Sequence, residues 1–179
     1  MSKAGRKKSS HSEFRIPNSE LTLTALMAAL IAALVYFGRI PFPMTSGGIV
    51  HPGDGMIFIA ACLLPTPYAA VAASLGAGMA DALLGDFGWL PATIALKACM
   101  ALLFSSKQKK ILTRRNVLVL LPACAINIAG YYLYEGFIYN QWAALVSVFG
   151  NVIQSGLSAA LFLLLAAALD RLKLKDRLL

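Results

Sequence analysis

From Ala143 to Leu169 the chain runs for twenty-seven residues without a charged side chain. As a helix that stretch measures about 40 Å, more than the roughly 30 Å hydrocarbon core of a bilayer. A surface helix of a soluble domain needs a charged face, which this run lacks. In lipid each backbone N–H and C=O must be satisfied within the segment, so the run is expected to be helical and to span a membrane. Shorter apolar runs precede it at residues 21–38, 54–64, 68–84, 89–104 and 117–134. Six spans are therefore expected, in an all-α membrane bundle over residues 21–169. Basic tails flank it at residues 1–20 and 170–179. With 59% hydrophobic and 13% charged residues, the composition lies well outside the soluble range of about 45–50% and 25%. The first twenty residues are polar and basic, and no cleavable signal is expected. Neither sequence repeats nor low-complexity segments occur beyond an Ala/Leu bias.

Charge sets the orientation. The net charge of +8 could suggest nucleic acid, but no basic face can form along the apolar runs. The tail before the first run holds Lys3, Arg6, Lys7, Lys8 and Arg15. The loop after the fourth holds Lys107, Lys109, Lys110, Arg114 and Arg115, and the final tail Arg171, Lys173, Lys175 and Arg177. Six spans put these fourteen of the sixteen cations on one side, against Arg39 alone on the other. That bias predicts both termini in the cytoplasm. Cys62, Cys99 and Cys124 each sit in an apolar run without paired spacing, and read as small core residues.

The second run is too short. Pro52 to Leu64 is thirteen residues, about 20 Å of helix, with Pro52 suited to a first helical position and Pro65 as a stop. The helix should begin below the outer surface, and the Gly/Pro-rich loop around Thr45 should dip toward it. Irregular backbone at that depth survives where it lines a cavity, and such interrupted segments mark transporter binding sites. A tilted helix extended back through Ile49 is the other reading.

Ionisable residues within spans are costly and usually functional. Here they are Asp54, Asp81 and Lys97, with His51 and Glu135 at the outer margin. Trp89, Thr93 and Lys97 recur every four residues and share a helix face. Asn127, Tyr131 and Tyr134 or Glu135 form a second polar face; Ser147, Asn151, Gln154 and Ser158 form a third. Facing lipid, such stripes would be unfavourable, so they should converge, as an interhelical hydrogen-bond network or as a ligand site. Lys97 is expected either to pair with Asp54 or Asp81, or to meet ligand directly. The cluster is expected to floor a cavity walled by Trp89, Thr93, Tyr131 and Asn151. Ala25, Ala29 and Ala33 make a small-residue ridge on the first span. The third span carries two more, through Ala69, Ala73, Ala77 and through Ala72, Gly76, Ala80. Each suits close helix contact, within the chain or with a partner.

Four segments together carry a resemblance. They are Val50-His51-Pro52-Gly53-Asp54-Gly55, Leu63-Leu64-Pro65-Thr66-Pro67-Tyr68, Gly76-Ala77-Gly78-Met79-Ala80-Asp81, and Trp89 with Pro91-Ala92-Thr93 through Lys97. The chain resembles the substrate-binding (S) components of energy-coupling factor (ECF) vitamin importers, nearest the riboflavin, pyridoxine and hydroxymethylpyrimidine branch. The resemblance implies a six-helix bundle in a prokaryotic plasma membrane that binds a vitamin near the outer face. It implies a first outer loop, here residues 45–54, that acts as a lid and pocket mouth. It also implies that Ala25, Ala29 and Ala33 contact a transmembrane coupling subunit, while partner ATPase subunits hydrolyse ATP. The substrate stays open among pyridoxine, a thiamine precursor, riboflavin or another heterocycle. Residues expected at the ligand are Thr45, His51, Asp54, Trp89, Thr93, Lys97, Asn127, Tyr131, Asn151 and Gln154.

The sequence has no GxxxxGK[ST] loop, so no ATP hydrolysis by this chain is expected. Nor does it carry HExxH, GxSxG or paired Cys/His metal spacing, and no bound cofactor or metal is expected. Two other readings remain: an ion-coupled transporter relaying charge through Asp54, Asp81 and Lys97, and a membrane enzyme using His51 and Asp54.

Overall fold

The computed structural model describes residues 18–42 and 49–178. Thr45, the rest of residues 43–48 and the cationic cluster of the first tail lie outside the described residues. Helix α1 spans Asn18–Phe37, and a short antiparallel pair, β1 (Ile40–Pro41) and β2 (Ile49–Val50), leads into α2 (Asp54–Leu63). Then come α3 (Thr66–Leu84), α4 (Leu90–Leu102), α5 (Arg114–Leu118), α6 (Leu120–Ile138), α7 (Gln141–Arg171) and α8 (Leu174–Leu178). The molecule is an all-α membrane protein apart from that one strand pair. Many large apolar side chains face outward, including Leu83, Leu121, Leu133 and Leu164, as lipid requires and water would not tolerate in such density.

The helix ends follow local chemistry. Pro67 occupies the first turn of α3, where a missing N–H costs nothing, and α3 ends on Gly85 in the left-handed region, φ 79°. There the N–H of Asp86 donates to the Asp81 carbonyl at 2.9 Å, closing the last turn. Asn140 caps α7 by accepting from the Ala143 N–H at 2.9 Å.

Among the described residues, four helical segments are long and apolar enough to cross a membrane: Asn18–Phe37, Thr66–Leu84, Arg114–Ile138 and Gln141–Arg171. The second run is shorter than expected. It starts at Asp54 rather than Pro52 and has ten residues, about 15 Å. The fourth is short as well, thirteen residues from Leu90, because Gly85–Trp89 is turn. The connection expected at residues 135–141 shrinks to Tyr139 and Asn140, since α6 continues through Glu135 to Ile138.

Tight packing comes from small residues. On α3, Ala69, Ala73, Ala77, Ala72, Gly76 and Ala80 are all buried. A Cβ at Gly76 would stand 2.6 Å from the Ala28 carbonyl oxygen, so α1 and α3 touch almost backbone to backbone. On α1 the inner side, Ala28 and Ala32, is buried while Ala25, Ala29 and Ala33 are exposed. Cys62 is buried as expected of a core residue, but Cys99 is exposed because α4 turns it outward.

Aromatic residues close the inner half. Phe58 stacks on Phe104 at 4.8 Å and meets Phe162 edge-on at 6.0 Å. At the basic end Asn116 is fully buried and ties the loop together, donating to the Ser105 and Ile111 carbonyls and accepting from the Ser105 N–H. Asp170 accepts from the Ile111 and Leu112 N–H groups at 2.8 and 2.9 Å. Lys175 is no free tail cation. Lys173 adopts φ 50°, which turns the chain and carries Lys175 under α2. Its ammonium donates to the carbonyls of Cys62, Ser106 and Gln108 at 2.8, 2.5 and 2.6 Å. Burial there draws the Lys175 pKa below its ordinary value.

Candidate ligand-binding cavity

The shortness of α2 and α4 leaves space above them. A cavity of about 570 Å³ opens there, at the end of the bundle opposite the basic loops. Its volume falls in the range of small-molecule sites, about 300–1,000 Å³. Residues 49–51 and Phe42 form one side, the α3–α4 turn a second, and the meeting of α6 with α7 the rest.

Beneath the cavity lies a buried polar layer. Lys97 Nζ sits 2.8 Å from Asp54 Oδ1, and both side chains are 1% exposed. The same ammonium donates to Asn127 Oδ1 at 2.7 Å and lies 5.2 Å from the Tyr131 ring centre. Gln154 Nε2 donates to Asp54 Oδ2 at 3.0 Å, and Asn127 Nδ2 to Ser155 Oγ at 3.4 Å. Helices α2, α4, α6 and α7 thus meet around one ion pair, and the three polar stripes do converge. Thr93 and Tyr131 share a 2.7 Å hydrogen bond one layer higher.

Of the residues expected at the ligand, His51, Trp89, Thr93, Tyr131, Asn151 and Gln154 line the cavity. Asp54, Lys97 and Asn127 do not; they are sealed under Gln154 and Tyr131 as a supporting layer. Thr45 lies outside the described residues. Asp81 was expected as a member of the buried ion pair. Among the described residues it forms none, because the α3 terminus holds it at the cavity wall.

Asp86, Tyr139 and Trp142 line the wall without having been named in the sequence reading, and Glu135 goes deeper than expected. Glu135 was placed at the margin, yet its side chain is 8% exposed and accepts from Trp89 Nε1 at 3.1 Å. Tyr139 packs against Trp89, ring centres 5.2 Å apart, and Trp142 and Asp86 complete that side. The spacing from Asn127 through Tyr131 to Glu135 had already put Glu135 on the second polar face, though not among the residues expected at the ligand. Tyr139 and Trp142 carried no signal of their own, because aromatic residues are common at membrane interfaces.

The arrangement can hold an aromatic molecule among Trp89, Tyr139 and Trp142 and fix it with a few polar groups. Among the described residues no group of His, Cys, Asp and Glu could hold a metal ion. Residues 16–171 match the family described as ECF-type riboflavin transporter, S component. No curated protein matches the chain.

Proposed function

The chain belongs to the family of ECF-type riboflavin transporter S components, and from that premise we propose that it captures a vitamin-like heterocycle outside the cell for an ATP-driven importer. It is a multi-pass membrane protein and a vitamin-binding transport subunit, not an enzyme. On this reading α1, α2, α3, α4, the α5–α6 segment and α7 make six crossings. Residues 21–169 form the membrane domain, and both basic tails lie in the cytoplasm of a cell enclosed by this plasma membrane. A transmembrane coupling subunit docks on Ala25, Ala29 and Ala33, and ATPase subunits supply the energy.

The observation that carries the proposal is the cavity above the shortened α2 and α4, on the side away from the basic loops. The sealed Asp54–Lys97 pair supports capture over charge relay, because it lies under the lining instead of along a path.

Two measurements test this. Protein purified from membranes should carry a small heterocycle detectable by native mass spectrometry. Trp89→Ala should lose it, with binding weakened roughly tenfold or more, because Trp89 also positions Glu135 and Tyr139. A variant that retains the ligand at full occupancy would move the site elsewhere. For orientation, Cys62, Cys99 and Cys124 are first replaced by alanine. Single cysteines at Asp86 and Asn140 should then react with an impermeant thiol reagent on intact cells, and cysteines at Lys109 and Arg177 should not. The reverse pattern would put the cavity on the cytoplasmic side.

A further inference from the structure

We infer that the ligand is a heteroaromatic molecule that bears a cationic, donor-rich nitrogen and has neither phosphate nor carboxylate. This rests on the cavity being the capture site and narrows what that site accepts.

The buried layer dictates what the lining offers. Asp54, ionised beside Lys97, can only accept hydrogen bonds. Gln154 must therefore turn its NH₂ down toward Asp54, and its Oε1 is left as an acceptor at the cavity. Gln154 is only 5% exposed, and that oxygen has no protein partner among the described residues. On the opposite side His51, 9% exposed, accepts the Gly53 N–H at its Nδ1. A neutral imidazole then carries its proton on Nε2, so His51 contributes one donor.

The remaining charged groups of the lining are three carboxyl groups. Asp81 Oδ2 is enclosed at the cavity wall beside the Thr93 hydroxyl, which shares a hydrogen bond with Tyr131. Glu135 uses Oε1 for Trp89 and has Oε2 left over. Asp86 completes the set. Neither Lys nor Arg lines the cavity among the described residues, and residues 43–48 contain no charged side chain in the sequence. The ammonium of Lys97 is neutralised by Asp54 below the lining.

Acceptors left over on buried side chains such as Gln154 and Glu135 are costly unless something donates to them. A ligand ammonium or ring amino group would satisfy Gln154 Oε1 and the spare carboxyl oxygens together, as charge-assisted bonds. A phosphate would enter beside three carboxyl groups with no cation to receive it, and like charges repel. The aromatic wall of Trp89 and Tyr139 supplies the stacking surface and favours a cation near its face.

Both tryptophans of the chain, Trp89 and Trp142, line the cavity, so intrinsic fluorescence reports its occupancy. The full chain in detergent micelles is titrated with pyridoxamine, pyridoxine, pyridoxamine 5′-phosphate and riboflavin. The first three differ by one group: an amine, an alcohol, an added phosphate. Pyridoxamine should bind at least about tenfold tighter than pyridoxine. The phosphate ester should bind at least about tenfold weaker than pyridoxamine. Asp81→Asn and Glu135→Gln should each reduce the preference for the amine over the alcohol. Equal binding of amine and alcohol, tighter binding of the phosphate ester, or quenching by riboflavin alone overturns the inference and leaves the capture reading standing. Absence of quenching by all four probes overturns the inference as well, and the capture reading then stands or falls on the heterocycle that co-purifies with the protein.

Discussion

Lys97→Met is expected to destabilise the bundle by about 3–5 kcal/mol, measured by denaturant titration in detergent micelles. The ammonium is fully enclosed and holds both Asp54 and Asn127. Methionine fills similar space but leaves the Asp54 carboxylate with Gln154 as its one remaining partner. Removing one member of a buried ion pair costs far more than removing both, because the survivor is a charge without a counter-charge. The double variant Lys97→Met/Asp54→Asn should therefore regain most of the loss. Asparagine keeps an oxygen for Gln154 and carries no charge. Lys97→Met/Asp81→Asn should regain nothing, since Asp81 stands at the cavity wall outside the pair. Equal recovery in both double variants would mean that the lysine is shared, and the layer described here would be wrong. Ligand binding should weaken in the single variant too, because Gln154 and Tyr131 rest on this layer.

How much of this was legible beforehand differs from residue to residue. The recessed second helix showed in the sequence because Pro52 and Pro65 bracket too few residues to cross. The polar faces showed because a four-residue repeat in an apolar run has no soluble explanation. The choice between Asp54 and Asp81 did not show. Both lie near outer helix ends, and only the packing of α2 between α4 and α7 brings Asp54 to the level of Lys97. Lys97 was expected either in an ion pair or at the ligand, and the pair with Asp54 is what forms. Its depth beneath Tyr131 and Gln154 depends on three helices at once, which no local pattern encodes.

The aromatic wall and the tail failed for a related reason. Tyr139 and Trp142 sit where interfacial aromatics are common, so their type carried little information. The place of Tyr139 beside Trp89, and of Trp142 on the same cavity, follows from α6 running on to Ile138 and a two-residue connection into α7. Lys175 belongs to a basic tail that the charge rule explains fully, and its second use depends on the left-handed turn at Lys173. A residue that already fits one rule gives no sign that it also obeys another.

Ala29→Trp is expected to abolish uptake in cells while changing the affinity of the isolated protein for its ligand by less than about twofold. On α1 the inner residues Ala28 and Ala32 are buried, and α3 approaches so closely that a Cβ at Gly76 would strike the Ala28 carbonyl. The internal need for small residues is thus met on that side. Ala25, Ala29 and Ala33 point outward, beside an apolar groove bordered by Ala25, Leu75, Met79 and Ile94. Lipid alone places no premium on alanine over leucine, whereas a partner helix at close range does. A tryptophan at residue 29 would hold such a helix several ångströms away and leave the cavity, which no residue of α1 lines, untouched. Ala28→Trp is the control: it collides with α3 and should lose folding, binding and uptake together. If Ala29→Trp transports normally, the outer ridge faces only lipid and coupling uses another surface. If it loses binding as well, the ridge is part of the internal packing after all.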